Sequence, residues 1–305
     1  MELILWLQQF ASPPLDYFFV ALSWLGTEEF YLLVIPAIYW FVDARLGYSL
    51  GVLFCSTMYL NGFLKDTLAM PRPDPALVRV VYAESGTGYG FPSGHAQSSA
   101  SFWGYVATRH FRWPLALALA GLVFLVSLSR LYLGLHFPAD VAGGAAIGLA
   151  VLAVFKWAEG WLARWRWPWG EFWRVILLVG SALWPLLFYR SHLAWQLSGA
   201  LAGMNLGYEL AGRLPGQHSR SRWWQQVLKG GLGFLVLAVW YLVSKSLALA
   251  WEWFTLVRYF SVAFIGFFVL PWAFVRLGMG DVEGGKGADA LRGNSLDVEV
   301  RRNCR

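Results

Sequence analysis

Charge is scarce in this chain. Only 14% of its 305 residues are Asp, Glu, Lys or Arg, against roughly a quarter in soluble domains. That deficit excludes an ordinary soluble globular protein. Cysteine is scarcer still. Cys55 lies inside an apolar run and Cys304 in the C-terminal tail, so neither a disulfide framework nor a metal-spaced cysteine pair is expected. Cys304 is second from last, which excludes a prenylation box. No Lys or Arg precedes the first apolar stretch and no small-residue cleavage site follows it, so no cleaved signal peptide is expected. Acidic residues do not cluster as a Mg²⁺ site requires, and no Cys/His set is spaced for zinc. The expectation is a protein without metal or other cofactor.

Apolar residues are abundant. They make up 58% of the chain, and the mean hydropathy is +0.50. Several apolar runs are about 20 residues long, the length a membrane-spanning helix needs. Many of the 19 tryptophans fall near the ends of these runs, where amphipathic rings suit the lipid–water interface. The net charge is +6. Its basic residues sit in short loops between apolar runs, so they read as topology signals or headgroup contacts, and no nucleic-acid partner is expected.

The fold class expected is all-α, a polytopic transmembrane helix bundle. Residues 1–25 form an apolar stretch broken by Pro13-Pro14, read as an interfacial or partly inserted element. The first clear span runs over about Glu28–Val42, with Thr27 able to cap it and Glu28 and Glu29 suited to the positive end of its dipole. Further spans follow at about Leu46–Leu64, His95–Arg109, Trp113–Arg130 and Ala139–Trp157, then Val175–Tyr189, Leu193–Leu210, Val227–Ser244 and Tyr259–Val275, nine in all. The tail from Gly278 is rich in glycine and charge and reads as disordered. Alternate loops are unequal in Lys and Arg. The richer set, around Arg45, Arg109, Lys156–Arg174 and Arg213–Lys229, is assigned to the cytoplasm with the C-terminus. Residues 65–95 and 130–140 then share the outer face.

Three clusters fall on that face. "KDTLAMPRP", Lys65 to Pro73, ends a span with two cations and a rigid Pro-Arg-Pro; alone it reads as snorkelling or topology. "PSGH", Pro92 to His95, opens a helix. Ser93 is suited to cap it, Gly94 permits close backbone approach, and free N–H groups there attract anions. "SRLYLGLHFPAD", Ser129 to Asp140, joins Arg130 to His136 and Asp140. Asp140 lies four residues beyond His136, within reach of its ring, where a carboxylate fixes the tautomer and raises the basicity of the other nitrogen. Jointly, three cations and a helix N-terminus suit a phosphate, with one histidine to attack and another to protonate a leaving group.

The pattern Lys-x6-Arg-Pro, Pro-Ser-Gly-His and Ser-Arg-x5-His-x3-Asp resembles the type 2 phosphatidic acid phosphatase superfamily, which includes bacterial membrane lipid-phosphate phosphatases, glucose-6-phosphatase and vanadium haloperoxidases. All three motifs are complete, over roughly residues 15–160. The resemblance implies that Lys65, Arg72 and Arg130, with Ser93 and the Gly94 N–H, hold the phosphate. It implies that His136 attacks phosphorus, Asp140 orients it, and His95 is the general acid. The matched motifs imply a catalytic core within residues 1–165; residues 166–277, outside the resemblance, read as additional helices of unassigned role, and 278–305 as the tail. The setting implied is a bacterial inner membrane, with lipid phosphates and membrane lipids as partners. Phosphatidic acid, phosphatidylglycerol phosphate and undecaprenyl diphosphate are the candidate lipid substrates, with a soluble sugar phosphate as a further candidate. A phosphotransferase using the same site and, further off, a lipid transporter with a phosphate-binding site are the alternatives.

The other polar residues read as bland. His110, His192 and His218 lie near span ends or in loops, Lys245 and Glu252 at an edge, and Glu209 is expected to snorkel beside Arg213. Tyr82 and Glu84, in the long outer loop, are candidates to touch substrate.

Overall fold

A computed structural model describes residues 1–109, 112–164, 170–213, 223–247 and 251–279. Every regular element among them is helical: α1 (Glu2–Gln8), α2 (Pro13–Trp24), α3 (Glu28–Phe41), α4 (Ala44–Leu68), α5 (Gly94–Arg109), α6 (Trp113–Tyr132), α7 (Pro138–Leu162), α8 (Glu171–Leu183), α9 (His192–Ala211), α10 (Trp223–Ser246), α11 (Glu252–Phe264) and α12 (Leu270–Arg276). Short 3₁₀ turns occupy Ala83–Ser85 and Trp184–Leu187, and a π-turn, Ile265–Val269, joins α11 to α12. The expected all-α class holds, and each of the nine expected spans falls on a helix or a joined pair.

The span count differs from the nine expected. Among the described residues four helices are long and apolar enough to cross a membrane: α6, α7, α10 and the run Glu252–Arg276. A fifth is added if α2 and α3, bent by 53° between them, form one broken span. For α4 and α5 the reason lies in polar residues next to the motifs, and the Phe172–Leu187 run is a shorter apolar helix. α5 has 16 residues and carries Gln97, Ser98, Ser99 and Ser101, all buried. α4 carries buried Thr57 and Asn61 before Lys65. These polar residues are spent on helix–helix contacts, which lowers the hydropathy of helices that are otherwise well packed. The apolar stretch 1–25 is two helices, with Pro13 and Pro14 in the first turn of α2, where a missing N–H costs nothing.

The chain divides into two compact units. One comprises Met1–Val34 with Val52–Gly160; the other comprises Ile35–Gly51 with the chain from Trp161 onward. In the first unit α1, α2 and α5 pack on α6. The residues after α6 must reverse sharply. Gly134 does this with φ +71, a left-handed backbone that L side chains rarely adopt, and a Cβ there would lie 2.5 Å from the Arg79 carbonyl oxygen. α7 then lies directly against the start of α5: a Cβ at Gly144 would lie 2.5 Å from the Ser93 carbonyl oxygen. Gln8 fastens α1 to this frame. Its amide donates to the carbonyls of Arg79 and Tyr132 and accepts from the Arg79 N–H.

In the second unit α9 packs along α11, and Gly199, Gly203 and Gly207 of α9 meet Leu256, Phe260 and Phe267. A π-turn leaves carbonyls without their usual helical donors. The Tyr39 hydroxyl donates to the Phe267 carbonyl at 3.0 Å and Trp40 Nε1 to the Gly266 carbonyl at 2.8 Å. Glu209 pairs with Arg174 of α8. Helix packing brings the sequence-distant cation to the carboxylate. Asn205, one turn earlier on α9, accepts from the Tyr48 hydroxyl and donates to the Leu178 carbonyl. His192 is exposed at the start of α9, while His110, His218 and the expected tail beyond Met279 lie outside the described residues.

Candidate active site

The first unit brings all three motifs together. Lys65 lies in the last turn of α4, Arg72 in the following loop, Ser93 and His95 at the start of α5, Arg130 in the last turn of α6, and His136 and Asp140 around the start of α7. Arg130, His136, Ser93 and Asp140 are buried. Three cations this close carry a large electrostatic cost unless an anion accompanies them.

Each cation is oriented by backbone carbonyls, and four of those belong to one short segment. Arg72 Nε donates to Gly88 O at 2.8 Å, Nη2 to Thr87 O at 2.9 Å, and Nη1 to Leu135 O at 2.7 Å. Lys65 Nζ donates to Tyr89 O at 2.9 Å. Arg130 Nη2 donates to Ser85 O at 2.8 Å, while its Nη1 donates to the hydroxyls of Ser85 at 3.0 Å and Ser23 at 2.5 Å. The segment Ser85–Tyr89 therefore fixes the direction of all three charges. Tyr82, left-handed at φ 62, starts the turn that delivers it. Beside the two outer-loop candidates Tyr82 and Glu84, Ser85 supplies the hydrogen bonds to Arg130.

The histidine geometry differs in one respect from expectation. Asp140 Oδ2 lies 3.5 Å from His136 Nδ1, beyond hydrogen-bond range, and accepts the Phe137 N–H at 2.8 Å. The carboxylate caps the first turn of α7, and that backbone donor competes with the imidazole for the same oxygen. At the other nitrogen, Arg72 Nη1 lies 3.0 Å from Nε2. A guanidinium can only donate, so Nε2 holds the lone pair and the ring proton sits on Nδ1. Burial, followed by the charges of Arg130, Arg72 and Lys65, holds the His136 imidazole well below its ordinary protonation range, so it is neutral at pH 7.

Ser93 also differs. Its hydroxyl caps nothing; its N–H donates to the Asp140 carbonyl at 3.0 Å. In all, Ser93 Oγ, His95 Nε2, Arg130 Nε and His136 Nδ1 are buried without a hydrogen-bond partner. Buried polar atoms are almost always paired. Three of these, Ser93 Oγ, His95 Nε2 and Arg130 Nε, point to a polar ligand that would satisfy them; His136 Nδ1 lies on the Asp140 side of its ring, away from Nε2. Among the described residues no three His, Cys, Asp or Glu side chains converge as a metal-ligand set.

A polar seam supports the site and was not legible as such. Asn61 Nδ2 donates to Gln97 Oε1 at 2.8 Å and to the Pro92 carbonyl at 3.1 Å. Gln97 Nε2 donates to the Thr57 carbonyl at 2.9 Å, and the Thr57 hydroxyl to Ser101 Oγ at 3.2 Å. Thr57, Asn61 and Lys65 recur every four residues, so one face of α4 ends at the cation. That spacing inside an apolar run is the signal that was available. A fully paired buried network of this kind is rigid, and it fixes the turn that carries Ser93 and His95.

Two stretches of the chain match known family models. Residues 46–164 match the PAP2 superfamily, and residues 195–282 match the transmembrane extension of PAP2 superfamily phosphatases. Lipid phosphate phosphatase delta of Arabidopsis thaliana is 30% identical over 51% of this chain and 41% of its own length. Sphingosine-1-phosphate phosphatase 2 of Mus musculus is 36% identical over 45% of this chain and 41% of its own length. The chain thus spans about two fifths of the length of these relatives. The crystal structure of a transmembrane PAP2-type phosphatidylglycerolphosphate phosphatase from Bacillus subtilis is 24% identical, with a TM-score of 0.46, over 54% of this chain and 86% of that one.

Proposed function

From a chain that carries a PAP2 superfamily core followed by the transmembrane extension of such phosphatases, we propose an integral membrane enzyme that hydrolyses lipid phosphates through a phosphohistidine. The observation that carries this reading is the set of three unpaired buried atoms, on Ser93, His95 and Arg130, among three side-chain cations beside His136 Nε2. A phosphate dianion has the charge and the acceptor oxygens that such a site lacks.

Each motif residue then has a role. Lys65, Arg72 and Arg130, with Ser93 and the Gly94 N–H, bind the non-bridging oxygens and supply the positive charge that phosphoryl transfer requires. His136 Nε2 attacks phosphorus and the bond to the lipid oxygen breaks. His95 gives its proton to that oxygen, and the lipid alcohol leaves. Water then attacks the phosphohistidine and gives a proton back to His95. The P–N bond breaks and inorganic phosphate departs. Asp140 holds the loop that carries His136 through the Phe137 N–H and keeps a negative charge 3.5 Å from Nδ1. That charge favours the imidazolium character His136 acquires as it attacks.

The catalytic part is residues 1–165, and residues 166–277 are additional helices. The uneven Lys and Arg of alternate loops supports an active site at the outer leaflet of a bacterial inner membrane, with a cytoplasmic C-terminus. The names of the relatives extend the substrate class from glycerophospholipid and isoprenoid phosphates to sphingoid-base phosphates.

The test is phosphate release by the purified protein in detergent with EDTA. The panel is phosphatidic acid, phosphatidylglycerol phosphate, undecaprenyl diphosphate and sphingosine 1-phosphate, with His136→Ala as control. Turnover that persists in EDTA and is lost in the variant is expected. A phosphorylated lipid acceptor in place of free phosphate would make the enzyme a phosphotransferase. Binding without turnover would make it a carrier. Activity surviving in His136→Ala would overturn the assignment.

A further inference from the structure

The contacts of Arg130 reach outside the matched core. Residues 46–164 match the family, yet the shortest hydrogen bond of this arginine, Nη1 to Ser23 Oγ at 2.5 Å, goes to the last turn of α2. Ser23 is completely buried. Three residues on, Gly26 lies in the break between α2 and α3, and a Cβ there would stand 2.8 Å from His95 Cδ2. Thr27 stiffens that break. Its hydroxyl donates to the Trp24 carbonyl at 2.9 Å and accepts the Phe30 N–H at 3.4 Å, capping α3 as expected from the sequence. One elbow therefore touches the cation of the third motif and the histidine of the second.

We propose that the α2–α3 elbow is a positioning element of the active site, in which Ser23, together with Ser85, aims the Arg130 guanidinium at the phosphate while Gly26 seats the His95 ring.

The donor geometry of Arg130 supports this. A guanidinium has five N–H groups. Nη1 donates to Ser23 Oγ and Ser85 Oγ, and Nη2 donates to Ser85 O. Nε is buried with no partner. The two serines hold the outer end of the fork and leave the Nε edge for an anion. Neutral hydroxyls suit that task. A carboxylate in their place would neutralise the charge that the phosphate needs, whereas a hydroxyl orients the group and leaves its charge intact. Without Ser23 the buried guanidinium loses one constraint and gains rotational freedom, and preorganisation is what such a group contributes to catalysis.

This inference rests on the reading of Arg130 as a phosphate-binding cation, and a double-mutant cycle separates the two. Wild type, Ser23→Ala, Arg130→Lys and the double variant are compared by kcat/KM for phosphatidic acid and by inhibition with orthovanadate. Ser23→Ala is expected to lower both kcat/KM and orthovanadate affinity about tenfold. In the Arg130→Lys background the same substitution is expected to change neither, because Ser23 acts through Arg130. Ser85→Ala, on the outer loop, gives a second cycle with the same expectation if Ser23→Ala does not fold. Equal losses in both backgrounds, or wild-type kinetics for the serine variants, would overturn the positioning role while leaving the phosphatase reading intact. Full activity in Arg130→Lys would remove the reading itself.

Discussion

Nη1 of Arg72 stands 3.0 Å from Nε2 of His136. The nitrogen that has the lone pair for attack is thus covered by an arginine N–H, and the same nitrogen atom of Arg72 donates to the Leu135 carbonyl. A phosphate oxygen arriving at Arg72 competes for that N–H and uncovers Nε2 in the same event. Binding and activation of the nucleophile are coupled through one guanidinium.

Arg72→Lys is therefore not a conservative change. Lysine keeps the charge but cannot reach Gly88, Thr87, Leu135 and His136 at once from a fixed fork. The expected result is a loss of about a hundredfold or more in kcat/KM, comparable to removing one preorganised donor. Steady-state phosphate release measures it, and a loss below about threefold would show that the fork geometry is dispensable.

Asp140 combines two tasks, and an amide separates them. Asp140→Asn keeps an oxygen able to accept the Phe137 N–H but removes the negative charge beside His136 Nδ1. The helix cap is worth about 1 kcal/mol, so thermal stability should change little, while turnover falls by roughly two to four orders of magnitude through the loss of imidazolium stabilisation. Retained activity would place the whole role of Asp140 in the cap.

Much of this architecture was readable from residue order. Helix positions followed from apolar runs punctuated at Gly134 and Pro138, and the motif residues were named by type and spacing. Three things were not readable, each for a physical reason. Ser23 and Ser85 are separated from Arg130 by 107 and 45 positions, and a lone serine has no distinguishing chemistry until the fold presents it to a charge. Thr57, Asn61 and Lys65 repeat every four residues along α4, but the pairing of Asn61 across to Gln97 of α5 leaves no trace in the order of either helix. The Asp140–His136 spacing promised a hydrogen bond, but the i+4 relation does not register the Phe137 N–H that takes the same oxygen.

The α4–α5 seam carries its own prediction. Asn61→Leu leaves the Gln97 Oε1 acceptor and the Pro92 carbonyl without this donor in a buried setting. Such a deletion costs about 1–3 kcal/mol. The pair Asn61→Leu with Gln97→Leu removes both ends of one bond and should lose less than the sum of the single changes. Thermal unfolding in detergent of the four proteins tests this. Strict additivity would mean that the two amides do not act as one network.

The buried neutral state of His136 fixes the sign of one pH effect. Its folded-state protonation lies well below the ordinary imidazole value because burial and three neighbouring cations oppose a further charge. An unfolded chain takes up that proton near pH 6.5. Above that pH both states are neutral at this position and the stability contribution is fully present. As the pH falls below about 6.5 the unfolded state binds a proton that the folded state refuses, so stability declines progressively toward the depressed folded value. His136→Gln removes the group. The variant should show a shallower fall in thermal midpoint between pH 7 and pH 5 than the wild-type protein. A steeper fall in the variant would mean that His136 gains its proton on folding, and so that an acidic partner, rather than the three cations, governs it.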